Sequence, residues 1–268
     1  MHIVVCIKQV PETRDVAVDE ETGVLLRDGV KSIMNPFDLY ALEAALRLKE
    51  ERGGSVSVIS MGPPQAEAVI REAYMMGADR GYLLTDRAFA GADTLATAFT
   101  LAQGIDKIGE ADLIVCGLQT TDGDTAQVGP GIAEMLRIPH ESNVIAITGV
   151  TDSGLRLERD SGDSLDTVDV AFPCLITVTK AIGEPRLLSF RRKLETADYP
   201  VVYWSLGDLG ENEDSLYGLK GSPTQVERIF SPPTQSDQEM WRGSGSELAQ
   251  RLLSKLSDLR FVGGMRHD

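Results

Sequence analysis

The sequence predicts an α/β chain with a doubly wound, mostly parallel sheet, and three observations predict it. Short apolar runs rich in β-branched residues recur through the first 150 residues. Amphipathic segments with helical period separate them. One run ends in a polar, glycine-rich loop, the kind of junction at which open α/β sheets bind ligands. Strand and helix in alternation lead to parallel pairing, because each crossover helix returns the chain to the same edge.

The elements follow in order. Residues 3–8, 55–60, 81–85, 112–117 and 144–148 read as buried strands. Helical patterns span about 37–52, 65–76, 93–109 and 130–137. The first helix has a marked start: Asn35 suits the cap, Pro36 the first helical position and Asp38 the positive end. On that helix Leu39, Leu42 and Leu46 form the inward face, with Glu43, Arg47 and Glu50 directed away. From about residue 150 a polar hairpin is expected at the sheet edge, and 173–182 returns as a buried strand. After Pro185 no period is readable, and 208–240 reads as an arm with little core of its own. A last helix is expected at about 245–259, carrying Leu248, Leu252, Leu253 and Leu256. The division drawn is a nucleotide-binding α/β domain over 1–190 and a C-terminal arm and helix over 191–268.

Composition narrows the function classes. Forty-one acidic against 26 basic residues give a net charge of −15, which repels nucleic acid and anionic lipid. Cys6, Cys116 and Cys174 each sit in an apolar run and none forms a CxxC pair, so they read as buried thiols of a reducing compartment. No run reaches the ~18 apolar residues of a membrane span, and MHIVVCIKQ reads as a short strand-like run rather than a secretory leader. A cytoplasmic location is the expectation. The three histidines, His2, His140 and His267, read as exposed, so no histidine-based triad is assigned.

Residues 117–131, GLQTTDGDTAQVGPG, carry the chemistry. Gly117, Gly123 and Gly129 permit positive φ or close backbone approach. Pro130 suits a helix start, which leaves Asp122 to Val128 in a loop with uncommitted amides. Free amides beside a positive helix end make an anion site, with phosphate the commonest occupant. Asp122 and Asp124 would repel that phosphate but suit sugar hydroxyls or base amines, and Thr121, Thr125 and Gln127 add neutral partners. A turn that only caps the helix is the plain alternative.

Several stretches in order resemble the β (small) subunit of electron-transfer flavoproteins, over about residues 1–235. They are KQVPET near the start, GVKSIMNPFDLYALEAALRLKE (29–50), ISMGPPQAEAVIREAYMMGADRGYLLTD (59–86), GADTLATA (91–98), CGLQTTDGDTAQVGPGIAEML (116–136), VTKAIGEPR (178–186) and GLKGSPTQVERIF (218–230). The resemblance implies a Rossmann-like, adenine-nucleotide-binding fold and a larger α subunit that holds most of the redox FAD. It implies a nucleotide of the chain's own: AMP in ordinary members, a second FAD in electron-bifurcating members that oxidise NADH. The implied cofactor site comprises Cys6, Asn35, Pro36, Phe37, Asp38, Met61, Asp122, Gly123, Asp124, Thr125, Ala126, Gln127, Val128, Gly129, Pro130 and Gly131. DGDTAQVGP is similar to the FAD-binding subclass, since Ala126 and Val128 stand where AMP-binding members more often have Asn and Thr. Leu118, Thr120 and Thr121 depart from the basic residue, Ala and Ile frequent in the family, leaving phosphate contacts to amides and hydroxyls.

The stretch after VTKAIGEPR corresponds to the family's recognition loop, which docks an acyl-CoA dehydrogenase or similar flavoenzyme. Leu187, Leu188 and Phe190 offer apolar contacts beside Arg191, Arg192 and Lys193, with Phe190 as the tip. The rival readings are a universal-stress-type ATP- or AMP-binding regulatory module and a hydrolase using Asp122 and Asp124. The first needs no 183–240 segment.

Overall fold

A computed structural model describes residues 1–12, 32–227 and 239–262. Strands are β1 (His2–Cys6), β2 (Gln9–Pro11), β3 (Ser32–Met34), β4 (Ser55–Met61), β5 (Arg80–Leu84), β6 (Leu113–Gly117), β7 (His140–Val150), β8 (Gly154–Asp160), β9 (Leu165–Ala171), β10 (Cys174–Val178) and β11 (Val201–Trp204). Helices are α1 (Pro36–Arg52), α2 (Glu67–Met76), α3 (Thr94–Ile108), α4 (Val128–Leu136), α5 (Phe190–Glu195) and α6 (Gly245–Asp258).

A nine-stranded sheet runs in the order β11-β5-β4-β1-β6-β10-β7-β8-β9. The pairs from β11 through β7 are parallel, and β7-β8 and β8-β9 are antiparallel. β1 shows why both faces are covered: Ile3 and Val5 join the core under α1 and α2, while Val4 and Cys6 join the core under α3 and α4. An uninterrupted apolar strand is what two-sided burial requires. β1 and β6 are neighbours in the sheet although their chain paths diverge, so a crevice opens beyond their carboxyl ends.

The polar hairpin expected at the edge is β8-β9, and 173–182 enters the sheet as the fully buried β10. Differences from the sequence expectation have local causes. The run at 144–148 is the middle of a longer β7 in which Val144 is buried and its neighbours are only half-covered. It turns the sheet from parallel to antiparallel and has register shifts on both sides. β11 and α5 were not expected at all: β11 is a four-residue edge strand beside β5, and α5 has a single turn and a half capped by Ser189.

Glu43 lies on the covered side of α1, not away from it, because Arg186 folds back onto its carboxylate at 2.8 Å. His2 is not free: its ring bonds the Glu110 carbonyl at 2.8 Å and the Ser57 hydroxyl at 2.9 Å. His140 is exposed, and His267 lies outside the described residues.

The chain divides into two compact units, 1–229 and 230–268. The described part of the arm has more core than its composition suggested. Leu209 and Tyr217 are buried, and the Tyr217 ring packs against Phe89 and Phe99 at centroid distances of 5.5 and 5.2 Å. Two anchors suffice to fasten an otherwise polar segment. Residues 228–238 of that arm lie outside the described residues. In the second unit α6 starts with a capping box between Ser244 and Glu247, and Leu252 and Leu253 on it are exposed. No helix among the described residues is long and apolar enough to cross a membrane.

Candidate functional site

The residues expected to form a site come together at the carboxyl edge of β4, β1 and β6, around the starts of α1 and α4. Cys6 ends β1 and stands in register with Ile59 of β4 and Cys116 of β6; Met61 ends β4. Cys6, Cys116 and Cys174 are all buried. A hydrogen bond with Cys6 and then burial push the Cys116 thiol well above its ordinary range, so it stays protonated.

Asn35 occupies the cap position of α1, yet its side chain does not cap the helix. It is fully buried and reaches across to the loop after β6. Its amide donates to Asp38 Oδ1 and to the Gln119 carbonyl, both at 2.9 Å, and its Oδ1 accepts from Thr121 N at 3.2 Å. The Asn35 hydrogen-bonding capacity is thus spent on joining two segments 84 residues apart. Pro36 takes the first helical position as expected. Asp38 is buried and accepts from Lys8 N at 2.7 Å. Burial pushes its carboxyl up to about 7, against the opposing pull of Asn35, of the Lys8 amide and charge, and of the Gly117 amide.

Gly117 explains how close these parts lie. A Cβ there would stand 2.4 Å from Asp38 Oδ1 and 2.7 Å from the Phe37 carbonyl carbon. Gly129 has a similar task against β10, where a Cβ would stand 2.5 Å from Thr177 Cγ2. Neither these two nor Gly123 adopts positive φ. The left-handed backbone falls instead on Asp124 (φ 49°) and Ala126 (φ 53°). A left-handed non-glycine residue costs about 1–2 kcal/mol, a strain that collects at functional loops.

Helix α4 begins at Val128, two residues before Pro130, so the loop spans Asp122 to Gln127. Proline is accommodated in the first turn because its missing N–H would have no intrahelical partner there. Gln127 stands at the cap without a side-chain capping bond, and its Oε1 instead accepts from Thr94 at the start of α3, at 3.0 Å. Within the loop, Asp124 N bonds the Thr120 carbonyl at 2.8 Å. The Asp122 amide turns onto its own carboxylate, and no main-chain acceptor among the described residues takes the amides from Thr125 to Gln127. Ala126 at φ 53° followed by Gln127 at φ −104°, ψ −23° is the left–right alternation that gathers successive N–H groups into an anion-binding concavity. Main-chain amides, threonine hydroxyls and a positive helix end together form a donor set that fits a phosphate-bearing group.

Neither carboxylate stands open. Asp124 Oδ1 accepts from Gln119 Nε2 at 3.0 Å. Lys8 Nζ bonds both oxygens of Asp122 at 2.8 Å. Burial opposes ionisation of Asp122, but Lys8, with help from Thr120, outweighs it and holds the carboxyl below its usual range. Lys8 and Gln119 were missed from the sequence. A lone lysine two residues beyond a strand that ends at the ligand edge is the signal that could have pointed to Lys8.

Leu187, Leu188, Phe190 and Arg191 are not part of this cluster. They lie around α5, which is fixed to α2 by Arg192 Nε on the Tyr74 carbonyl at 3.1 Å. Leu187 is 91% exposed and Phe190 72%. Arg186, just before them, bonds Glu43 and Glu50 of α1. Burial opposes ionisation of Glu43, and the Arg186 bonds outweigh it, holding that carboxyl low.

A family model described as the electron transfer flavoprotein domain matches residues 22–209. The chain belongs to the electron transfer flavoprotein family. It is 45% identical over 264 residues to the caffeyl-CoA reductase-Etf complex subunit CarD of Acetobacterium woodii, covering 98% of this chain and 100% of that one. It is 47% identical over 243 residues to the FixA protein of Azorhizobium caulinodans, covering 88% and 86%. It is 44% identical over 262 residues to the electron transfer flavoprotein β subunit of Clostridium acetobutylicum, covering 98% and 100%. Its role is therefore that of an electron transfer flavoprotein β subunit, in place of the universal-stress-type alternative.

Proposed function

We propose that this β subunit carries an adenine dinucleotide, FAD, in the crevice beyond β1 and β6 and works as a heterodimer with a flavoprotein α subunit. The observation that carries the reading is the Asp122–Gln127 loop, whose Thr125 to Gln127 amides have no main-chain acceptor among the described residues beside the uncapped start of α4. The Asn35–Asp38 turn, Cys6 and Met61 complete the wall, and the loop with Val128 to Gly131 takes the phosphates. FAD supplies the electron chemistry when bound. The chain holds and orients it, and the buried Asn35–Asp38 pair keeps the loop in its bent form before the ligand arrives. Ala126 and Val128 support FAD over AMP, and with it oxidation of NADH by a bifurcating pair.

The Leu187–Arg191 face is the docking surface for the redox partner, with Phe190 at its tip. The name of the A. woodii relative, a subunit of a caffeyl-CoA reductase complex, supports a CoA-ester flavoenzyme in that role.

Purification of the chain with its α subunit, followed by extraction and counting of nucleotides, tests the reading. Two flavins per heterodimer are expected. One flavin with one AMP removes the second-flavin assignment, and a β site that yields no nucleotide removes the site.

A further inference from the structure

The loop reads as a phosphate site while carrying two carboxylates within three residues, on a chain of net charge −15. Like charges at such range disfavour phosphate entry. Lys8 meets this conflict. Its position is set by the main chain: its N–H donates to Asp38 at 2.7 Å and its carbonyl accepts from Asn35 N at 2.9 Å. Both partners belong to the start of α1, so the side chain is delivered from the end of β1 straight to the loop. There its ammonium grips both oxygens of Asp122 at 2.8 Å, the only ion pair of the loop among the described residues. Both side chains keep substantial solvent exposure, 43% and 34%, so neither is needed to fill the core. Stability alone gives little account of such a pair, because solvent-exposed ion pairs contribute little to it.

We propose that Lys8 is a positioning residue for the nucleotide phosphate: by neutralising Asp122 it makes the Asp122–Gln127 loop acceptable to an anion. This rests on the reading of that loop as a nucleotide site. Asp122 is then the counter-charge that parks Lys8 at the loop, and the pair tunes phosphate affinity without contributing a base or ribose contact.

The test uses the full chain with its α subunit, depleted of bound nucleotide and titrated calorimetrically with AMP and with adenosine, which lacks the phosphate. Lys8→Gln weakens AMP roughly tenfold and leaves adenosine within about threefold, as expected for one lost neutralising charge. Lys8→Arg and the double variant Lys8→Gln/Asp122→Asn both return AMP to within about threefold of the parent. Asp122→Asn alone frees Lys8 and tightens AMP, which keeps the decision open to measurement even where Lys8→Gln does not fold. Unchanged AMP affinity in Lys8→Gln, equal loss of AMP and adenosine, or no recovery in the double variant overturns the inference alone. So does any failure of Asp122→Asn to tighten AMP. A parent that binds neither AMP nor FAD removes the nucleotide reading and this inference with it.

Discussion

The two regions proposed to bind are fastened in different ways. The nucleotide loop is bent by a buried amide: Asn35 sits beneath it, at 0% exposure, and ties Gln119 and Thr121 to the start of α1. The α5 region is fastened at its base, where Arg186 meets Glu43 and Glu50, and at its back, where Arg192 meets the Tyr74 carbonyl, while Leu187 and Phe190 stand in solvent. A small ligand demands a wall set before it arrives, because ordering on binding subtracts from affinity. A protein partner covers what it meets, so a docking face of the kind proposed can leave Leu187 and Phe190 bare while the helix beneath them is held.

Asn35→Leu breaks the contrast hardest. It leaves Asp38 Oδ1, the Gln119 carbonyl and Thr121 N without their partner, and one buried unmet group costs about 1–3 kcal/mol. The expected loss is about 3 kcal/mol in denaturant unfolding together with loss of AMP binding in calorimetry. Retained AMP affinity would show that the wall is not set in advance.

Arg186→Ala is the counterpart on the other region. It takes the guanidinium from buried Glu43, which keeps Arg47 and the main-chain N–H of residue 186 as donors, and should cost about 1–3 kcal/mol in thermal or chemical unfolding. AMP affinity should stay unchanged while electron transfer to the partner enzyme slows. A fall in AMP affinity would mean that the two regions are coupled.

Asp38 sharpens the comparison through pH. Its folded carboxyl, raised to about 7 from an ordinary 3.8, holds a proton that the unfolded chain has lost between those values. The native state thus binds more protons in that window, and the Asp38 contribution to stability falls as pH rises from about 4 to 7, by up to about 1.4 kcal/mol per unit. Unfolding free energies compared at pH 5 and pH 7 should show this slope in the parent and not in Asp38→Asn. The same slope in both would assign it to other groups.

Phe190→Ala should have the smallest effect on the fold, within about 0.5 kcal/mol, because the ring is 72% exposed. Its effect should be confined to docking, read as a raised KM for the redox partner with the heterodimer intact. A marked drop in melting temperature would place the ring in packing rather than docking.

What could be read from the residues follows from where the information lies. The alternation of strands and helices is carried by local period, so β1, β4, β5, β6 and α1 to α4 were legible to within a few residues. α4 starts two residues before Pro130, because the first helical turn tolerates proline beyond its first position. β11 escapes because a four-residue edge strand with two half-covered and two exposed residues carries no readable period. The loop's composition suggests an anion site but not how the loop is held: Asn35 reads as a helix cap, and only the approach of segments distant in sequence makes it a cross-brace. Lys8 and Arg186 were hidden for the same reason, since an ion pair between Lys8 and Asp122 spans 114 positions.

The first turn of α3 bonds in two directions from consecutive residues. Thr94 holds Gln127 of the loop, and Asp93, besides capping the helix, takes the amide and hydroxyl of Thr224 and donates its own N–H to Ser222. Trimming the chain before Leu209 to obtain a tidy minimal fragment would therefore be a false economy. It would bare Phe89 and Phe99 to water and slacken the stem beside the crevice, yielding a sticky product in which a lost ligand says nothing about the loop itself.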